Sequence, residues 1–225
     1  MVAALPAEAR TLGPAQRRHD GLLRLRDGTL LAISGIGSAH ASTAADNLVA
    51  AGAAALMSFG LAGGLDPALR AGNVVLPDEV ISREGARCTT TPEWREQLRR
   101  EVQKACWVAG GKLLTCLGPI DAPADKAAAF RDTGAVAVDM ESLAVAQVAE
   151  QHGLPFIAVR VIVDTAADGL PPSVVAASGS GALNIRRLIA GLALKPRDVI
   201  GLLRLARRYR AAIRSLTAVA IARVA

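Results

Sequence analysis

Residues 136–168 constrain this chain most. Val136–Asp139 is a short apolar run that closes on Asp139-Met140-Glu141-Ser142. Ser142–Gln151 then places apolar residues at helical spacing, and Ile157–Val163 is a second apolar run that ends in Asp164-Thr165. Short apolar runs on either side of one helix are the pattern of a strand–helix–strand unit whose strands are buried on both faces. Such a unit brings the carboxyl ends of neighbouring parallel strands together, and ligands of open α/β sheets bind there. Glu141 and Asp164 are therefore expected to face one cleft, one placed to hold hydroxyls and the other to give a proton.

The same alternation runs through the chain. Expected strands are Val2–Leu5, Leu30–Ser34, Ala55–Phe59, Asn73–Leu76, Lys112–Leu117, Val136–Asp139 and Ile157–Val163. Expected helices are Ala39–Ala51, Glu93–Ala109, Asp125–Thr133, Ser142–Gln151 and Ser178–Ala190. The 225 residues suit one α/β domain, a mixed central sheet covered by helices on both faces. The boundaries expected are a catalytic body over residues 1–194 and a basic amphipathic helix over 195–225. Gly169–Pro172 and Ser178–Gly181 read as mobile loop material.

Charge sets that last segment apart. Residues 195–225 hold eight Lys or Arg against one Asp, whereas the other residues together balance at −1. A basic excess confined to the tail argues against nucleic acid as a partner of the body. In the tail, Val199, Ile200, Leu203, Ile213 and Leu216 form an apolar stripe, and Arg204, Arg207, Arg208, Arg210 and Arg214 occupy much of the rest. Two readings stand: the stripe packs on the domain and the arginines are solvated, or the helix lies on an anionic membrane surface. No apolar run is long enough to span a bilayer. The strand-like opening at Val2 leaves no room for a signal peptide. Cys88, Cys106 and Cys116 are odd in number and lack metal-ligand spacing, which points to free thiols, a cytoplasmic setting and no metal.

Three further segments carry chemistry. Ser34-Gly35-Ile36-Gly37-Ser38 follows a strand and opens a helix, so Gly37 allows close approach of backbone N–H groups to a ligand. Phe59-Gly60-Leu61-Ala62-Gly63-Gly64-Leu65-Asp66-Pro67 follows the next strand and runs into Leu69-Arg70-Ala71-Gly72-Asn73-Val74-Val75. Ala3-Ala4-Leu5-Pro6-Ala7-Glu8 places an acid just past the first strand, either a catalytic group or a helix-start glutamate.

In this order the motifs resemble the nucleoside phosphorylase/nucleosidase superfamily over roughly residues 1–170. The resemblance implies cleavage of a ribose–base bond without metal or organic cofactor. It implies that Asp164 protonates, or hydrogen-bonds, purine N7, that Glu141 binds ribose hydroxyls with Met140 against the sugar, and that Gly60, Leu61 and Ala62 line the cleft. His40 is either a sugar contact or a satisfied surface histidine, and Asp168 is a loop cap. The opening around Glu8 resembles methylthioadenosine/S-adenosylhomocysteine nucleosidases, whose glutamate there orients the attacking water. Hexameric-type phosphorylases instead carry an arginine before the strand-3 glycine and a serine after it. Ser58 and Leu61 stand in those places, which favours water unless Arg10, Arg160 or a partner chain supplies charge for a phosphate.

The Val138-Asp139-Met140-Glu141-Ser142 form of the motif, the compact Asp121–Lys126 segment and the tail look like the hopanoid-associated phosphorylases. That likeness implies release of adenine from adenosylhopane, a lipid-linked nucleoside, at or near the inner face of a membrane. The base-stacking Phe of the small-substrate nucleosidases has no counterpart here; Pro123 sits near its place. Two other readings stay open: a nucleosidase for small thio- or homocysteinyl-adenosines, and a non-catalytic nucleoside-binding or scaffold protein. The superfamily implies at least a homodimer.

Overall fold

The computed structural model describes residues 1–169 and 198–223, with side chains for 1–169 and 206–223. The expected helix Ser178–Ala190 and the loop Ser178–Gly181 lie outside the described residues. The elements run β1 (Val2–Ala3), α1 (Pro6–Thr11), β2 (Ala15–Arg17), β3 (Leu23–Leu25), β4 (Leu30–Ile33), α2 (Ser38–Ala50), β5 (Leu56–Gly64) and β6 (Val74–Val75). They continue with β7 (Glu79–Ile81), β8 (Arg87–Thr89), α3 (Pro92–Val102), β9 (Val108–Ala109), β10 (Lys112–Thr115) and α4 (Pro123–Thr133). β11 (Ala135–Asp139), α5 (Ser142–Gln151), β12 (Phe156–Asp164) and α6 (Asp198–Ala222) complete the chain.

β5 is the hub of the sheet. It pairs in parallel with β1 and β12, and its last residues pair antiparallel with β11 through Gly63–Val138 and Gly64–Ala137. β11 continues in parallel to β10, and β10 to β7. The sheet is thus mixed, as the sequence leads one to expect. Side chains of β12 alternate between two cores, because successive strand residues point to opposite faces. Phe156, Ala158 and Ile162 join α2 and α5, whereas Ile157, Val159 and Val161 join α3 and α6. Each buried Leu, Ile or Val side chain stabilises by about 1.5–3 kcal/mol relative to exposure, so these two layers fix the strand register.

Three expectations need correction. The strand expected over Ala55–Phe59 does not stop before the glycine segment: β5 runs on to Gly64, because both β12 and β11 supply it with ladder partners. The helix expected over Glu93–Ala109 ends at Val102, and Val108–Ala109 leaves as a strand that pairs with Val74–Val75. The first strand stops at Ala3, and Pro6–Thr11 forms a one-and-a-half-turn helix, with Pro6 in the first turn where its missing N–H costs nothing.

The tail helix α6 packs on the body. Ala212, Leu216, Val219 and Ala220 are buried, at the spacing of one helical face, against the Ile157/Val159/Val161 face of β12. Arg207, Arg210 and Arg214 are exposed. Among the described residues no helix is long and apolar enough to cross a membrane.

Candidate active site

Three segments far apart in sequence meet at the carboxyl ends of β5, β11 and β12. One cavity there is lined by Glu8, Leu61, Ala62, Met140, Glu141 and Asp164, with Pro119 and Ile120 on a further wall. Six of the residues expected to act on or bind a substrate are therefore brought together. The other three are not in the lining. Gly60 lies below Glu8, Gly37 sits behind Glu141, and His40 is exposed on α2 with Nδ1 3.0 Å from the Ile36 carbonyl oxygen.

Glu8 owes its position to α1 and to β5. As the third residue of the helix it reaches back, and Oε2 accepts a hydrogen bond from the Leu5 N–H at 2.9 Å. Oε1 accepts one from the Leu61 N–H, also at 2.9 Å. The first contact is a helix-start role, but the side chain is buried and not solvated. A Cβ on Gly60 would come 2.6 Å from Oε1, and only glycine admits the carboxylate there. Gly60 thus leaves the space that the Glu8 carboxylate fills. Burial raises the Glu8 pKa above the ordinary glutamate value, and the Arg160 guanidinium and the backbone donors oppose that rise.

Glu141 stands at the start of α5. Its Oε1 accepts from the Gly37 N–H at 2.8 Å, a contact that uses the φ of 103° open to glycine at the head of α2. Burial first, and then the neighbouring Asp139 charge, push its pKa up to about 7. Beneath it lies Arg160, fully inside the protein. Arg160 Nε donates to Asp139 Oδ2 at 2.8 Å, Nη2 donates to Ser58 Oγ at 2.7 Å, and Glu141 Oε2 is 4.0 Å away. Asp139 also accepts from Thr115 Oγ1 at 2.6 Å and from the Ser142 N–H at 2.9 Å. Three carboxylates, Glu8, Asp139 and Glu141, therefore surround one guanidinium, and burial raises the pKa of Glu8 and of Glu141 above the ordinary glutamate value.

Asp164 ends β12, where the register against β5 shifts and brings it opposite Gly63. A Cβ on Gly63 would come 3.3 Å from Asp164 Oδ2, so this glycine too makes room for an acid. Lys126 of α4 ion-pairs with Asp164 Oδ2, and its Nζ also donates to the carbonyl oxygens of Thr165 and Asp168, each at 2.9 Å. Burial raises the Asp164 pKa, and Lys126 draws it part of the way back. Asp168 caps the following loop: its Oδ2 accepts from the Thr165 N–H at 2.9 Å and from Thr165 Oγ1 at 2.7 Å, and its Oδ1 pairs with Arg208 of α6 at 2.5 Å. Among the described residues no group of three His, Cys, Asp or Glu side chains can hold a metal ion.

Arg160, Asp139, Ser58 and Lys126 escaped the reading of the sequence as a connected group. A signal for two of them was present. Arg160 is the lone charge among the residues of β12 that precede Asp164, and Lys126 precedes an Ala-Ala-Ala run on α4. A cation in such a place needs a buried anion, because an unpaired one costs several kcal/mol, of order 3–5.

The arrangement offers a buried carboxylate, Glu8, on one side of a cavity, a lysine-paired acid, Asp164, on another, and a third acid, Glu141, beside them. Residues 21–190 match the family model described as "Phosphorylase superfamily". A 5'-methylthioadenosine/S-adenosylhomocysteine nucleosidase of Tolumonas auensis is 30% identical over 187 residues, covering 71% of this chain and 80% of that protein. The fold is similar to that of the 5'-methylthioadenosine/S-adenosylhomocysteine nucleosidase from Neisseria meningitidis solved with methylthio-immucillin-A. There the TM-score is 0.73 at 19% identity, over 99% of this chain and 96% of that one. It is also similar to that of futalosine hydrolase of Helicobacter pylori, at a TM-score of 0.63, 17% identity and coverage of 72% and 85%. With its family model matched over most of its length and its acids gathered at one sheet end, this chain belongs to the phosphorylase superfamily.

Proposed function

We propose that this protein cleaves the N-glycosidic bond of a 5'-substituted adenosine and releases adenine, with water as the nucleophile. The observation that carries the reading is the joint presentation of Glu8, Glu141 and Asp164 in one cavity. Bond cleavage at C1' passes through an oxocarbenium-like state. Glu141 and Met140 seat the ribose, Asp164 gives its proton to N7 as the C1'–N9 electron pair moves onto the base, and Glu8 orients water onto C1'. Water is favoured over phosphate by charge. No Lys or Arg among the described residues lines the cavity, Arg10 is exposed, and the Arg160 donors are taken by Asp139, Ser58 and the Val159 carbonyl oxygen. A dianion placed there would lack charged donors.

For the 5' substituent we propose a hopane chain, so that the enzyme acts on adenosylhopane in hopanoid biosynthesis, residues 1–194 forming the catalytic body. The Val138–Ser142 motif, the short Asp121–Lys126 segment and the basic tail support this choice. The small-substrate alternative, methylthioadenosine or S-adenosylhomocysteine, is supported by the Tolumonas auensis relative. The test is adenine release from methylthioadenosine and from a 5'-alkyl-extended adenosine, with and without phosphate, following both products by mass. Free ribosyl product at equal rates in both buffers is expected, with the extended substrate preferred. A 1-phosphorylated product that forms only with phosphate would overturn water as the nucleophile, and a preference for methylthioadenosine would overturn the lipid substrate.

The tail completes the proposal as a peripheral membrane contact. Deleting residues 196–225 is a poor test, because Ala212, Leu216 and Val219 belong to the core. Replacing the exposed Arg207, Arg210 and Arg214 by Gln leaves that core intact. Each basic residue near an anionic surface contributes about 1 kcal/mol, so the triple variant is expected to bind phosphatidylglycerol vesicles roughly 100-fold less tightly. Sedimentation with vesicles measures this, and unchanged binding would separate the tail from the membrane.

A further inference from the structure

We propose that Lys126 is a positioning residue for departure of the base: its ammonium fixes Asp164 Oδ2, leaves Oδ1 for the leaving base, and meets the negative charge that develops on Asp164 as the proton leaves. The inference rests on Asp164 being the acid of the proposed reaction.

The geometry is that of a built site. The Lys126 side chain is fully buried, and its ammonium has three acceptors, one each for its three N–H groups: Asp164 Oδ2, the Thr165 carbonyl oxygen and the Asp168 carbonyl oxygen. Two of the three are main-chain oxygens of the turn that follows β12, so the lysine ties the acid to that turn. Among the described residues no other side chain donates to the Asp164 carboxylate. A merely structural ion pair would have no need of an acid that also lines a cavity; here Asp164 does. The loop is held from the far side as well, by Asp168, which accepts from Thr165 and pairs with Arg208.

The proton on Asp164 passes to N7, the C1'–N9 bond breaks with its electron pair going to the base, and water bonds to C1' as its proton passes to the Glu8 carboxylate. Asp164 is left as a carboxylate ion-paired to Lys126. A preorganised cation that meets charge appearing in the transition state accelerates the step and needs no reorganisation at that moment. Lys126 also opposes the effect of burial on Asp164. Its removal therefore leaves a weaker acid that stays protonated to higher pH.

The test compares Lys126→Met, Lys126→Arg, Asp164→Asn and the Lys126→Met/Asp164→Asn double variant, with methylthioadenosine as the probe and thermal melting as the fold control. Lys126→Met is expected to lower kcat by about 10- to 100-fold, the range that misplacement of a catalytic group produces. The alkaline limb of its kcat profile is expected to move up by about one pH unit or more, as loss of a close opposite charge requires. Lys126→Arg should recover part of both. In the Asp164→Asn background, Lys126→Met should cost nothing more. A full multiplicative loss in the double variant, or wild-type kcat with an unmoved limb in Lys126→Met, would overturn the proposal. If Lys126→Met does not fold, Lys126→Gln carries the same comparison, since it keeps a donor without the charge. Should Asp164→Asn itself retain the wild-type rate, the acid reading of Asp164 fails. Should Asp164→Asn be slow while Lys126→Met is unaffected, only the role of Lys126 fails.

Discussion

Asp164→Asn is expected to lower kcat by about 10² or more, the usual reach of a positioned general acid, with a smaller change in KM. The amide fills the same space and can donate a hydrogen bond to N7, but it has no proton to transfer. The diagnostic is a substrate that does not need the acid. A p-nitrophenyl riboside leaves as a stable anion, so the variant should cleave it at close to the wild-type rate while its rate on an adenosine collapses. Equal losses on both substrates would show that the substitution damaged the site as a whole. A stability loss accompanies the change, because Lys126 loses the anion that balances it in the interior; breaking a buried pair costs about 3–5 kcal/mol. Thermal melting, read beside the rates, separates the two effects.

Glu8→Gln is expected to cost about 10² in kcat as well, for a different reason. A carboxylate accepts at both oxygens, and here both already accept: Oε2 from Leu5 and Oε1 from Leu61. Glutamine has one carbonyl oxygen, so one backbone N–H must then face an NH₂ group. That mismatch costs about 1–3 kcal/mol of stability and tilts the side chain. The pH profile reports on the same residue. A group that orients water by accepting its proton must be ionised, and burial places the Glu8 pKa above its reference of 4.5. Activity should therefore fall as pH drops through that raised value, and the Glu8→Gln variant should lose that limb. A wild-type rate in Glu8→Gln would remove Glu8 from the mechanism.

The two substitutions act on residues that differ in how readily the sequence betrays them. Asp164 closes an apolar run at a strand end, so its place on the sheet follows from pattern alone. Glu8 sits in a six-residue helix that no periodicity announces, and only its family-like surroundings single it out. The short strands β2, β7, β8 and β9 were invisible for a related reason. They are two or three residues long and gain their identity from a neighbour, as Val108–Ala109 does from Val74–Val75. A run of two residues carries no period.

The sequence by itself determined the alternation of strand and helix, the extent of α5 as Ser142–Gln151, and the acids that stand at strand ends, because these depend on the local spacing of apolar side chains. It also determined that positive charge gathers in the tail. The tertiary structure alone decided which charges meet. Arg160 of β12 lies under Glu141 and Asp139, Lys126 of α4 reaches Asp164, and Gly60 clears the space that Glu8 fills. Those contacts join residues 19 to 52 positions apart. Spacing along one element says nothing about them, since strand pairing and helix docking bring together segments whose separation in sequence leaves no periodic trace.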